Sequence, residues 1–412
     1  MFVAQVDAGV LLLASSVQLM SKLECLSLRT EKVSEGTVVA LFSNLAVASS
    51  FTKLSINVDE LRHDGTGQLI YSRLSDLQTL QVLEFNVVEP PASGGENPIG
   101  SCLDQLSYLS LSGCNFDVAG SQCLLASLGS LHSLRALQMC DTVLGEQGTK
   151  AFAAGVAGAT ALQSLVLGSG NCALPYSHAQ AMVLAPALGR LARLTQLDLS
   201  GAFHKEGLEV ICHVLGKLSK LCKLQVCRNT LDSDGAADLK LAVSSLVDLR
   251  YLDISSCCLS RSATASITLG VGTLRSLEHL DLSGATVNER NVTHVVGSLQ
   301  KLNALQSLSL QSVFSKCSTQ GERVNSLDVL ADGLCRLSKL TFLDLSSNTI
   351  GDDGVKAIEK VLRTVTGLRG VEVDATDMSR AGAEMILAAL SDSDPARCFE
   401  LSQKCGQVIA LS

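Results

Sequence analysis

The chain has 412 residues, of which 47% are hydrophobic and 17% charged, with a formal net charge of −8. That balance excludes a disordered chain, and an acidic excess spread along the length lacks the positive footprint that nucleic-acid binding requires. Fifteen cysteines without a CxxC pair fit thiols in a reducing compartment better than a disulfide framework, which makes the cytoplasm the expected location.

At the N-terminus the apolar run Val10 to Leu13 follows Asp7 rather than Lys or Arg, and it is too short to span a bilayer, so no membrane insertion is expected. Its explanation lies further along. The motif LxxLxL begins at Leu23, Phe51, Leu80, Leu106, Leu134, Leu162, Leu194, Leu221, Leu249, Leu277, Leu305, Leu340 and Leu368, and seven of these twelve intervals are 28 residues. Counting back from Leu23 places Gly9, Leu13 and Val17 on helix positions of a preceding half repeat. A fixed period of this length marks units that bury their apolar faces only by stacking on neighbours.

The organisation read from the chain is one domain, 1–412: a half repeat over 1–22, thirteen repeats of about 28 residues over 23–395, and a terminal strand cap over 396–412. The third repeat is short, and Glu89 to Pro98, with two adjacent prolines and two glycines, predicts extended loop in place of a helix. The next copy is regular, with Leu106, Leu109, Leu111, Cys114, Phe116, Gly120, Leu124 and Leu128. Four extra residues near Asn171 to Pro175 read as a surface loop, and Pro186 is expected to kink a helix or mark its first turn. Another regular copy runs from Leu221 through Asn229, Leu231 and Gly235 to Val243, and about seven extra residues near Lys316 to Val324 interrupt the period again. The clearest copy follows: Leu340, Leu343 and Leu345 alternate as a short strand, Asn348 and Ile350 turn inward, and Gly354, Ile358 and Leu362 keep helical spacing.

Each spacing has a physical task. Period-two apolar residues build parallel strands, the Asn bonds backbone groups freed at the bend, and a glycine column that also holds Gly65, Gly148 and Gly382 lets each helix start lie close to its neighbour. The predicted fold class is therefore α/β: a leucine-rich repeat solenoid, a horseshoe with parallel strands on the concave face and helices on the convex face. Half a repeat at the N-terminus has no polar cap, so self-association or docking through that edge is expected.

Strand residues between the leucines point away from the core, and one such column holds Asp198, Asp253, Asp281, Asp344, Glu372 and Glu400. Beside it stand Tyr108, Tyr251, His279 and Phe342. Aromatic residues with an acidic surround suit a protein partner carrying a basic patch, and these positions are the candidate protein-binding residues. No catalytic, cofactor-binding or metal residue is expected. The seven histidines lack HxxxH or HExxH spacing, Gly168 and Gly170 complete no phosphate-binding motif, and most cysteines are expected on core positions. The sequon Asn291, Val292, Thr293 falls in a predicted helix and is read as a chance occurrence.

With Leu340 to Leu362 as its best copy, and Cys114 and Cys257 at the site where such repeats take Asn or Cys, the chain resembles ribonuclease-inhibitor-type leucine-rich repeat proteins along nearly its full length. The resemblance implies a non-enzymatic scaffold or adaptor, a subunit of a larger assembly that binds proteins through the concave face, inserted loops or the N-terminal edge. It also implies two alternatives: the ligand-sensing or autoinhibitory part of a NOD-like receptor, and a GTPase-activating regulator similar to the Ran activator. No Trp and only four Tyr occur, which argues against ribonuclease inhibition itself.

Overall fold

A computed structural model describes residues 22–30, 34–58, 66–87, 103–117, 122–168, 175–314, 319–373 and 376–393. The backbone forms two compact units, Met1–Ala202 and Phe203–Ser412. In the first, strands β1 (Cys25–Thr30), β2 (Lys53–Val58), β3 (Val82–Val87), β4 (Tyr108–Ser110), β5 (Ala136–Gln138), β6 (Ser164–Val166) and β7 (Gln196–Asp198) pair in parallel and in sequence order. Between them lie α1 (Glu35–Ala46), α2 (Thr66–Leu74), α3 (Gln122–Ala126) with a short 3-10 turn, α4 (Gly145–Gly158) and α5 (His178–Leu188).

The second unit repeats the plan with β8 (Lys223–Gln225), β9 (Tyr251–Asp253), β10 (His279–Asp281), β11 (Ser307–Ser309), β12 (Phe342–Asp344) and β13 (Gly370–Glu372), again parallel and consecutive. Its helices are α6 (Lys205–Leu215), α7 (Ser233–Ser244), α8 (Arg261–Val271), α9 (Val292–Leu299), α10 (Gln320–Leu334), α11 (Gly351–Thr364) and α12 (Arg380–Ser393). Each of these packs on the next in sequence. The segments that begin at Leu221, Leu249 and Leu277 are thus successive rungs, as the repeat requires.

The leucine spacing builds the core of each rung. Leu26, Leu54, Leu83, Leu109, Leu137, Leu165 and Leu197 stand in register across the first unit, as do Leu224, Leu252, Leu280, Leu308, Leu343 and Val371 across the second. None of them is more than 2% exposed, while the strand residues on either side, Asp253 apart, remain partly open. A residue buried between two open ones is the signature of a strand with one covered face.

After the strand the chain must turn sharply, and in each unit it does so through a left-handed residue, such as Asp141 at φ 55°, Arg228 at 59° and Ser347 at 56°. Gly284, at 77°, occupies that place without a side-chain penalty. The Asn or Cys column then satisfies the bend. Asn348, fully buried, donates from Nδ2 to the carbonyls of Leu310 and Leu345, both at 2.8 Å, and accepts from the Phe314 amide at 3.0 Å. Asn229 repeats the arrangement with Val226 O at 2.8 Å and the Phe203 amide at 3.0 Å. At the same place Cys257 Sγ donates to Val226 O at 3.2 Å and Cys114 Sγ to Phe85 O at 3.6 Å, which explains why a thiol substitutes there.

Helix starts are capped locally. Ser177 and Gln180 form a reciprocal capping box, Asp232 accepts from the amides of Asp234 and Gly235, and Ser260 and Thr319 accept from Ala263 and Glu322. The glycine column is small for a steric reason. A Cβ at Gly148 would stand 3.0 Å from Phe116 O, and one at Gly354 would stand 2.7 Å from Ile350 Cγ2 and 2.9 Å from Leu327 Cδ1.

Three expectations change. Pro186 lies in the last turn of α5, not the first, where its missing N–H costs only the bond to Met182 O next to the helix end. Part of the insertion near Lys316 to Val324 is not loop, because Gln320 to Val324 extend the start of α10. Among the ten described cysteines only Cys114, Cys212 and Cys257 are buried, so most are off the core. Their places in the chain explain this: Cys140 and Cys227 fall in turns, Cys258 in the irregular segment after one, and Cys25 on the open strand face. The half repeat at 7–20, the Glu89 to Pro98 loop, Asn171 to Leu174, Glu400 and the strand cap at 396–412 lie outside the described residues.

Candidate interaction surface

The open face of the strands carries two columns of side chains, one position before and one after the buried leucine. In the second unit the first column runs Lys223, Tyr251, His279, Ser307, Phe342, Gly370, and the second runs Gln225, Asp253, Asp281, Ser309, Asp344, Glu372. Seven of the nine candidate residues, Tyr251, Asp253, His279, Asp281, Phe342, Asp344 and Glu372, are therefore brought onto one face by register alone. Tyr108 and Asp198 belong to β4 and β7 of the first unit and do not adjoin each other.

The first column carries aromatic side chains on β9, β10 and β12, with Ser307 between the last two. Lys223 Nζ sits 4.7 Å from the Tyr251 ring centroid, and the Tyr251 and His279 rings are 5.8 Å apart at a tilt of 36°. Phe342 lies across Gly370, where an added Cβ would come within 2.9 Å of the ring. Strips of flat side chains held this way lose little freedom on contact with a partner.

The acidic column does more than solvate a face. Asp198, Asp253, Asp281 and Asp344 each accept, through Oδ1, the backbone amide two residues on: Ser200 at 2.8 Å, Ser255 at 2.9 Å, Ser283 at 2.8 Å and Ser346 at 2.8 Å. One carboxylate oxygen of each is thus committed to closing the turn. Asp253 is only 8% exposed. Burial pushes the Asp281 carboxyl up, the bonds from Ser283 oppose this, and the charges of Asp253 and Asp344 add to the rise. Ser283 and Ser309 hydroxyls meet at 2.8 Å, and Ser309 Oγ donates to Asp344 Oδ2 at 3.3 Å, so hydroxyls bridge the gap where β11 lacks a carboxylate.

In the first unit the same two columns are partly paired with each other, over β2 to β5. Lys53 Nζ pairs with Glu84 Oε1 at 2.6 Å, and Tyr108 Oη donates to Gln138 Oε1 at 2.7 Å. Burial, and secondarily Glu84, pushes the Tyr108 phenol up. Lys53, Glu84, Gln138 and Lys223 also belong to this face, although their residue types alone do not mark them as members. Their signal was position: Lys223 stands 28 residues before Tyr251.

Other sequence features resolve structurally. Asn291 immediately precedes α9 without a side-chain cap bond, is 4% exposed, and donates from Nδ2 to Arg261 O at 3.1 Å and Thr286 O at 2.7 Å, so its amide has no room for a glycan. Burial pushes the Cys257 thiol up to about 12 and the Cys212 thiol higher still, which removes both as nucleophiles. Among the described residues no group of three or more His, Cys, Asp or Glu side chains is arranged to hold a metal ion, and no helix is long and apolar enough to cross a membrane.

Comparison with known proteins agrees with the fold. A family model described as Leucine Rich repeat matches residues 336–358, which span β12 and the start of α11. An internalin of Listeria monocytogenes has a similar structure, with a TM-score of 0.53 over 96% of this chain and 95% of that one, at 14% identity. The chain has the leucine-rich repeat fold. A curated Rho GTPase-activating protein of Dictyostelium discoideum, gacW, is 23% identical over 391 residues, or 92% of this chain. The chain spans only 32% of that relative.

Proposed function

We propose that the protein is a non-enzymatic interaction scaffold, a subunit or adaptor of an intracellular assembly, and that it grips a protein partner with the open strand face of the second unit. The observation that carries this reading is the side-by-side placement of the Tyr251, His279, Phe342 strip and the Asp253, Asp281, Asp344, Glu372 column. Aromatic side chains contribute area at low entropic cost, and the carboxylate oxygens left over from turn closure favour lysine and arginine on the partner. Placement in a reducing cytoplasm, and the ribonuclease-inhibitor-type class of repeat, belong to the same reading. Well-formed helices in the repeats, such as the 14-residue α11, support the class.

The test must separate charge from folding, since reversing these aspartates would also open the turns. Asn keeps the Oδ1 acceptor, so the variant of choice combines Asp253→Asn, Asp281→Asn, Asp344→Asn and Glu372→Gln. Partners captured from cells by the wild-type chain should bind this variant at least about 10-fold more weakly and with less dependence on salt. Undiminished binding would assign the contact to another surface.

Regulation of a small GTPase is the second reading, favoured by the similarity to the Rho GTPase-activating protein. Because the chain corresponds to under a third of that protein's length by the 32% overlap, a targeting part is the role proposed rather than the hydrolytic one. Addition of the chain alone to GTP-loaded Rho-class GTPases should leave hydrolysis at its intrinsic rate. Acceleration would make it an activator in its own right.

A further inference from the structure

Between the end of each helix and the start of the next strand, the second unit has an edge rich in cations. Backbone bonds run along it from rung to rung: the amides of Arg250, Glu278, Gln306, Thr341 and Arg369 each donate to the carbonyl at the same position one rung earlier, at 2.7 or 2.8 Å. The segments therefore lie side by side. Lys217, Lys301 and Arg336 share one repeat position on this edge, Lys220 and Lys339 a second, Arg250 and Arg369 a third, and Arg275 stands at a fourth. All of these side chains are exposed. Two carboxylates, Asp248 and Glu278, lie on the same edge, and Arg250 pairs with Glu278 at 2.9 Å. Among the described residues the other cations of the edge have no ion-pair partner. Compensation of helix dipoles does not explain them. Its ordinary place is the last helical turn, and of α6 to α11 only α11, with Arg363, has a Lys or Arg there.

Aliphatic side chains stand among these cations. Val247, 61% exposed, holds the repeat position of Arg275 one rung earlier. Leu241 and Leu269, 67% and 45% exposed, share a position in the last turns of α7 and α8. Those turns touch, since a Cβ at Gly270 would stand 2.8 Å from Lys240 O. Three open aliphatic side chains are too few for the packed apolar core of a protein interface, and a nucleic-acid backbone offers them no apolar contact. A bilayer of anionic lipid matches both features: headgroups meet cations spread over several rungs, and the acyl boundary accepts single aliphatic side chains. The chain as a whole carries −8, so such a surface repels it everywhere except at a basic edge.

We propose that this edge of the second unit docks on an anionic membrane surface, resting on the headgroups without crossing them and leaving the strand face to its protein partner. Co-sedimentation of the full chain with vesicles tests this. Phosphatidylcholine vesicles containing roughly one-third phosphatidylserine should bind it at least about 10-fold more tightly than phosphatidylcholine alone, and the preference should fade between about 0.1 M and 1 M salt. The triple variant Lys217→Glu, Lys301→Glu, Arg336→Glu should lose the preference. A second triple variant, Leu241→Ser, Val247→Ser, Leu269→Ser, keeps every charge and should bind anionic vesicles at least about 3-fold more weakly. Arg261→Glu with Arg290→Glu reverses exposed cations at helix starts and should retain the wild-type preference. Circular dichroism verifies that all three remain folded. Equal affinity for the neutral vesicles, unchanged affinity in either folded edge variant, or an equal loss in the helix-start variant would overturn the proposal. Tighter binding to poly-glutamate or to single-stranded RNA than to anionic vesicles would overturn it too, assigning the edge to an acidic protein or to a nucleic acid.

Discussion

At the scale of single residues, the turn after each strand is held by two side chains with different reach. Asn348 satisfies one amide and two carbonyls in a fully buried bend, whereas Cys257 satisfies one carbonyl with a weak donor. Truncation should therefore separate them. Asn348→Ala leaves several buried backbone groups without partners and should lower stability by about 3 kcal/mol, while Cys257→Ala should cost about 1 kcal/mol. Urea denaturation of the two variants checks this; equal losses would mean that the column works by filling space and not by hydrogen bonding. The column itself was legible from the spacing of Asn229, Asn348, Cys114 and Cys257. The turn-closing role of Asp253 and its equivalents was not, although the Asp-x-Ser spacing at Asp198, Asp253, Asp281 and Asp344 carried it. Alternation alone assigns these aspartates to the open face as contacts for a partner, because a strand residue facing away from the core has no backbone group of its own strand within reach. A bond to the amide two residues on emerges only when the backbone turns left-handed immediately afterwards, as it does at Ser256 and Ser347.

At the scale of elements, what sets the separation of adjacent helices is the presence or absence of a side chain. A Cβ at Gly155 of α4 would stand 1.9 Å from the Leu125 carbonyl oxygen and 3.2 Å from Leu128 Cβ, so the backbone of α3 lies directly against that glycine. Backbone cannot rotate aside as a long side chain can. Gly155→Ala should push the two helices apart at a loss of about 2–3 kcal/mol. Gly297, within α9, has nothing within 4 Å of its added Cβ, and Gly297→Ala should raise stability by about 0.5–1 kcal/mol through lost chain entropy in the unfolded state. Thermal unfolding of the pair gives opposite signs if the helix spacing is as described; a neutral Gly155→Ala would contradict the close approach of α3 and α4. Strands and helices were readable because one residue in each pair of apolar positions recurs at a constant interval. The cationic edge beyond the ends of α6 to α11 was not, since its members, such as Lys217, Lys220 and Arg250, fall on several repeat positions, none of which carries a repeat signature.

At the scale of the molecule, parallel strands joined only to the preceding and following rungs make stability a chain of nearest-neighbour terms. A local lesson then has a local range. In Asn348→Ala the lost bonds join the turn after β12 to Leu310 and Phe314 after β11, so weakening should concentrate in β11, β12 and their helices. Hydrogen exchange in that variant should accelerate by up to about 100-fold across residues 305–372, and remain unchanged across 25–87, where β1 to β3 lie. Uniform acceleration over both stretches would instead mean that the repeats open together as one cooperative block, which is the behaviour of a central core and not of stacked rungs. The difference bears on recognition, because rungs that open independently let an occupied strand face at Tyr251 to Glu372 stiffen without involving the far end of the chain. Partner binding should in that case slow exchange in β9 to β13 and stop there, and the distance over which protection spreads measures how many rungs act as a unit.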